Sequence, residues 1–287
     1  AQNVTDCSDI ICASVTLRPN VNGNFEFYIP SSLVKVVITN DETVITYGSF
    51  MNTRLETVVF ENIEEIHDYA FYNNDNLKHV NNVDKSVNTI NFVENKNKVN
   101  ISIGDYAFAD CDLIAKIVVN SYVGGDANTS KLGDYIFAYN HRVHTVVIGN
   151  AELGDHMFDS CYATNSTIIN KFTTVIIPNT VTNIGTHVFA NCHDLTGFTL
   201  NNAIIGEYMF YNNTGLTKLV VEECVETIEI GAFEECENLE DLTLPFVGRT
   251  RHNTRTADAL FGYIFGETRE GEKYETTEQY YYYSDDL

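Results

Sequence analysis

Tryptophan is absent from this 287-residue chain, proline occurs only 4 times, and glycine only 17 times. So little Gly and Pro excludes a collagen-like or low-complexity chain. No apolar run approaches the roughly 18 residues that a membrane-crossing helix needs, so no membrane insertion is expected. Positive charge is scarce as well: 17 Lys and Arg face 40 Asp and Glu, a formal net charge of -23. Nucleic acids and anionic membranes both require a dense cationic surface, so neither is expected as a partner. Missing too are Cys-x-x-Cys, Gly-x-Ser-x-Gly, His-Glu-x-x-His, P-loop and EF-hand patterns, so neither enzymatic activity, nor a metal, nor a cofactor is expected. No apolar signal segment stands at Ala1, which reads as a mature secreted form or an excised piece. What remains is a folded chain, 44% hydrophobic and 12% aromatic, long enough for one large or two smaller domains.

Internal repetition is the informative feature. In Ile103-Gly-Asp-Tyr-Ala-Phe108-Ala-Asp-Cys111 an apolar residue stands five before a Phe and a Cys three after it. The frame recurs at Phe50, Phe71, Phe137, Phe158, Phe189, Phe210 and Phe233. Three of the intervals are 21 residues and one is 23; the rest carry polar insertions near 81–100, 121–130 and 162–172. Each frame continues into an apolar alternation, as in Leu239, Leu242 and Leu244, the mark of a short strand with one buried face. The half around the Phe reads as a turn entering a short helical or 3₁₀ segment. One such unit cannot bury its own apolar side, so the units must stack into a solenoid.

Three positions after the Phe stand Cys111, Cys161, Cys192 and Cys236, and in other units Asn74, Asn140 and Asn213. Both side chains are compact donors, and one per coil would form a structural ladder bonding backbone carbonyls at an inner turn. Seven Cys is an odd number, so at least one thiol is free or pairs between chains. Only Cys161 and Cys192 occupy successive rungs; they are expected to stay reduced, and Cys7 and Cys12 remain a possible pair.

These motifs, with Asn238-Leu-x-x-Leu-x-Leu-Pro245, resemble the BspA-type leucine-rich repeat family over about 45–265. The resemblance implies a leucine-rich repeat solenoid, a right-handed superhelix with short parallel strands on its concave face and turns and short helical or 3₁₀ segments on the convex side. It also implies a secreted or cell-surface protein that adheres to a host or microbial partner. The domain reading is 1–24 as an N-terminal cap or connecting segment, 25–265 as about eight repeats with half-units at both ends, and 266–287 as an acidic, Tyr-rich tail. Because Leu260–Phe265 lacks a following strand and Ile29–Ile38 lacks a preceding Phe half, the chain reads as one block of a tandem array.

Equivalent positions of successive coils lie side by side, so columns are the candidates for binding. Two before the Phe stand Tyr69, Tyr106, Tyr135, His156, His187 and Tyr208, an aromatic stripe that would dock a partner or stack on itself. Asp68, Asp105, Asp134, Asp155 and Glu207 precede them; these either hold a cation or, more simply, cap the amides of their own turns. Ten after the Phe, Val118, Val147, Ile176 and Val220 form a β-branched stripe on the outward strand face, interrupted by Thr199 and Thr243. His141 and His144, three apart at the start of a strand, point to opposite faces and are not expected to share a metal. The expected function is a non-enzymatic, monomeric, extracellular module binding a protein or glycoprotein. The rival is a passive spacer within a longer surface protein.

Overall fold

The structure is a computed structural model. It describes residues 29–39, 42–60, 62–81, 87–93, 101–120, 132–149, 152–162, 174–179, 181, 183–196, 202–253, 256–267 and 279. The chain divides into two compact units, 1–32 and 33–287. Of the first only 29–32 are described, so Cys7, Cys12 and most of the expected cap lie outside the described residues, as does most of the acidic tail.

Within the second unit, alternation in the sequence becomes a parallel sheet of seven strands. In spatial and chain order they are Lys35–Ile38, Thr57–Phe60, His79–Val80, Thr89–Val93, Lys116–Asn120, Thr145–Ile148 and Thr174–Ile176. Val58, Val80, Ile90, Ile117, Val146 and Val175 point inward and are at most 1% exposed. A second line of short strands, with isolated bridges at Leu132, Leu153 and Ile184, holds the Ile or Leu five before the Phe. Val44–Ile45, Glu65–Ile66 and Ser102–Ile103 pair in parallel, and Ile204–Ile205 pairs with Thr227–Ile228.

Between the two strand lines, each coil turns around its Phe. Phe71, Phe108, Phe137, Phe158, Phe189, Phe210 and Phe233 are fully buried and stacked face to face. The spacing is regular, from 4.8 Å between Phe71 and Phe108 to 5.9 Å between Phe210 and Phe233. The backbone follows the same order: Phe108 N–H donates to Ile136 O, and Phe137 N–H to Met157 O.

These corners are turns, not helices; among the described residues, 3₁₀ helix occurs only at Ala257–Ala259 and Phe261–Phe265. The reason is local. Residues two before and two after the Phe both have positive φ, as at Tyr106 (55°) and Asp110 (56°), and a left-handed residue on either side breaks a right-handed helix. At the end of the stack Phe265 tilts against Phe233 at 6.5 Å, and Phe233 N–H bonds Ile264 O. The Leu260–Phe265 frame thus covers the last Phe turn.

Candidate functional site

The Cys/Asn column is a hydrogen-bond ladder. Cys111 Sγ donates to Phe71 O (3.3 Å), Cys161 to Phe137 O (3.2 Å), Cys192 to Phe158 O (3.2 Å) and Cys236 to Phe210 O (3.2 Å). Asn74, Asn140 and Asn213 give Nδ2 to the equivalent carbonyls of Phe50, Phe108 and Phe189. Each rung therefore satisfies the anchor carbonyl one coil upstream. Thr53 fills the first rung, bonding Asn74 Oδ1, a member the Cys/Asn pattern does not reveal.

Burial pushes the thiols of Cys111, Cys161 and Cys236 up to about 12, and that of Cys192 well above its ordinary value, so all four stay protonated donors. Cys161 and Cys192 are not joined by a disulfide, and Cys224, also outside any disulfide, is exposed. A thiol reagent on the folded protein is expected to reach Cys224 quickly and these four ladder thiols only on unfolding. Denaturing without reductant should expose at least five free thiols, and a count of one or none would contradict the ladder.

Tyr69, Tyr106, Tyr135, His156, His187 and Tyr208 form one continuous stack. Successive centroids are 5.0, 4.7, 4.5, 4.6 and 4.9 Å apart and no pair is inclined by more than 18°. All six have φ between 50° and 57°. A left-handed non-glycine residue costs about 1–2 kcal/mol. A stacked pair returns about 0.5–1.5 kcal/mol, so the rings offset much of the strain their own positions impose. At Gly231 the column stops because Tyr208 lies over it: a Cβ there would stand 2.3 Å from the Tyr208 ring. The faces are spent on one another, and all six residues are partly buried. Burial first, then Tyr106 and Asp159, pushes the Tyr135 hydroxyl up to about 12, so it remains a neutral donor.

The acidic column differs from its expected role. Asp68 Oδ1 accepts the N–H of Asp105, Asp105 that of Asp134, Asp134 that of Asp155, and Asp155 that of Thr186, at 2.7–2.9 Å. Each carboxylate caps the next coil rather than its own turn. The glycine just before the acceptor's partner makes this possible, since a Cβ on Gly104 would stand 2.2 Å from Asp68 Oδ1 and 2.6 Å from its backbone nitrogen. Gly-Asp-aromatic is therefore a single device: close approach, inter-coil cap, stacked ring.

His141 Nδ1 bonds Asp112 Oδ1 at 2.7 Å, while His144 Nδ1 meets Thr145 Oγ1 at 2.9 Å, so the two imidazoles serve different partners. No group of three or more potential metal ligands occurs among the described residues. The hydrogen bond to Asp112 raises the pKa of His141, and the same bond lowers that of Asp112. Asp112 adds stability above the ordinary carboxylate pKa of about 3.9 and loses it as pH falls through its lowered value. His141 adds stability below its ordinary pKa of about 6.5 and loses it as pH rises through its raised value. The pair is therefore worth most near pH 5–6. His141→Gln should lower the melting temperature more at pH 5.5 than at pH 8.5; equal losses would show that the pair is not ionic.

Val118, Val147 and Ile176 do lie side by side, paired in register. Val118 is nevertheless only 9% exposed, so it adds little apolar surface to that stripe although it stands outside the core cluster. It lies in register between Asn91 and Val147. Ile176 is 42% exposed and Val147 half-buried. Val220, also 42% exposed, sits in a separate two-stranded sheet opposite Thr243, and Thr199 lies outside the described residues. Val37, 55% exposed on the first strand, is a member of this face that the Phe-based frame could not reach.

A family model described as "BspA type Leucine rich repeat region" matches residues 7–78, 81–176 and 169–252. The chain belongs to this family. Among solved structures it is similar to a T. pallidum leucine-rich repeat protein at 20% identity and a TM-score of 0.44, over 64% of this chain and 78% of that one. It is also similar to a leucine-rich cell surface protein of Faecalibacterium prausnitzii, at 18% identity and a TM-score of 0.38, over 73% and 71%. Against the pneumococcal vaccine antigen PcpA the identity is 15% and the TM-score 0.46, over 77% and 62%. No curated protein matched the sequence.

Proposed function

We propose that the chain is a non-enzymatic interaction module, displayed outside the cell, that binds a protein or glycoprotein through the outward face of its seven-stranded sheet. The carrying observation is exposed apolar side chains held on sheet backbone, Val37 on the first strand and the neighbouring Val147 and Ile176 on the last two. Val37 and Ile176 are 55% and 42% exposed where isolated polar residues would suffice for a solvated face. Membership of a leucine-rich repeat family supports an interaction role, and the description of the F. prausnitzii protein as a cell surface protein supports the location. The aromatic stack serves better as scaffold than as a sugar platform, because a pyranose needs a free ring face and these faces are occupied.

A panel of matrix proteins and glycoproteins, screened against the intact chain and against Val147→Ser/Ile176→Ser, tests this. Saturable binding that the double variant loses while keeping its circular dichroism supports the module. A passive spacer would bind nothing in the panel while folding normally.

A further inference from the structure

We propose that the outward sheet face takes a carboxylate-bearing protein segment, with apolar side chains on Val37, Val147 and Ile176 and Asp or Glu side chains on Lys35 and Lys116. This rests on the reading of that face as the binding surface and names the chemistry of its partner.

The first observation is an exclusion. None of the seven strands contains Asp or Glu, although the chain has 40 of them. The acid excess lies elsewhere. The second observation concerns lysines. Lys78 pairs with Glu56 at 3.1 Å and Lys218 with Asp241 at 2.5 Å. Lys35 and Lys116, within the long sheet, have no ion-pair partner among the described residues, despite more than two acids for every base in the chain. Lys116 lies in register between Thr89 and Thr145. Its charge, after burial, helps hold the neighbouring His144 below the usual histidine range.

Geometry limits the occupant. Lys35 is separated from Lys116 by four strand steps, through Thr57, His79 and Thr89. At about 4.8 Å per step that is roughly 19 Å, the reach of about six extended residues crossing the strands. The net charge of -23 disfavours such a segment elsewhere, while the seven strands add no acid of their own. Specificity then arises as much from where the segment is refused as from where it is held.

The test uses two capped twelve-residue peptides, alternating Glu–Val and alternating Lys–Val, titrated into the intact chain with methyl resonances of Val37, Val147 and Ile176 observed. The Glu–Val peptide is expected to shift these methyls saturably, and Lys35→Gln/Lys116→Gln to weaken it roughly tenfold, as loss of charge-assisted contacts does. A Lys–Val peptide that shifts the same methyls as strongly would overturn the carboxylate assignment while leaving the face as a binding surface. If neither peptide moves them, both the assignment and its underlying face fail.

Discussion

Phe189→Ala is expected to destabilise the protein by about 3–5 kcal/mol, the range for emptying a fully buried aromatic site. Phe189 is completely buried, 5.1 Å from Phe158 and 5.9 Å from Phe210, with both neighbours nearly parallel to it. Those two rings are fixed in turn by Phe137 and Phe233. Neither can move into the gap without leaving its own stack, so little relaxation can reduce the cost. Each coil of a solenoid is held only by its neighbours, so the loss should also decouple the coils on either side. Chemical denaturation should show the lower stability and a broadened transition. A loss under about 1 kcal/mol would mean that the Phe column is not the anchor of the fold.

That column was legible because its physics is one-dimensional. A fully buried site in seven of the coils accepts one side-chain shape, so Phe recurs whatever the insertion length. The Cys/Asn rungs were legible for a similar reason: both residues supply a compact donor. The turn conformation was not. Tyr is an unusual choice for positive φ, and the stacking of Tyr106 on Tyr135 accounts for its presence there. The acidic column misled because the bond from each Asp reaches an amide 21–37 residues ahead, while the sequence shows only the amides beside it. Val118 and Val147 share a position in their repeats, and their different exposure depends on neighbours that one repeat does not contain.

The ladder offers a test that separates hydrogen bonding from packing, because its Asn rungs are not equivalent. Asn140 is fully buried and gives Nδ2 to Phe108 O (2.9 Å) and Phe137 O (2.7 Å), while its Oδ1 accepts Cys111 N–H at 2.8 Å. Asn140→Ala leaves a buried amide and two carbonyls without that partner and is expected to cost about 3 kcal/mol or more. Asn140→Cys keeps a donor for Phe108 O, as Cys161 provides for Phe137 O, but leaves the Cys111 amide without its acceptor, for about 1–2 kcal/mol. Asn213 is the control. Its Nδ2 reaches Phe189 O at 2.8 Å, yet its buried Oδ1 has no hydrogen-bond partner among the described residues. Asn213→Cys therefore preserves the donor while removing an oxygen whose burial is uncompensated, and its cost should fall below about 1 kcal/mol. Thermal and urea unfolding of the three variants should rank Asn140→Ala as the most damaging and Asn213→Cys as the least. If the two Cys variants were equally damaging, cysteine would be failing for lack of volume, and the rungs would owe their composition to packing rather than to the donor each one carries.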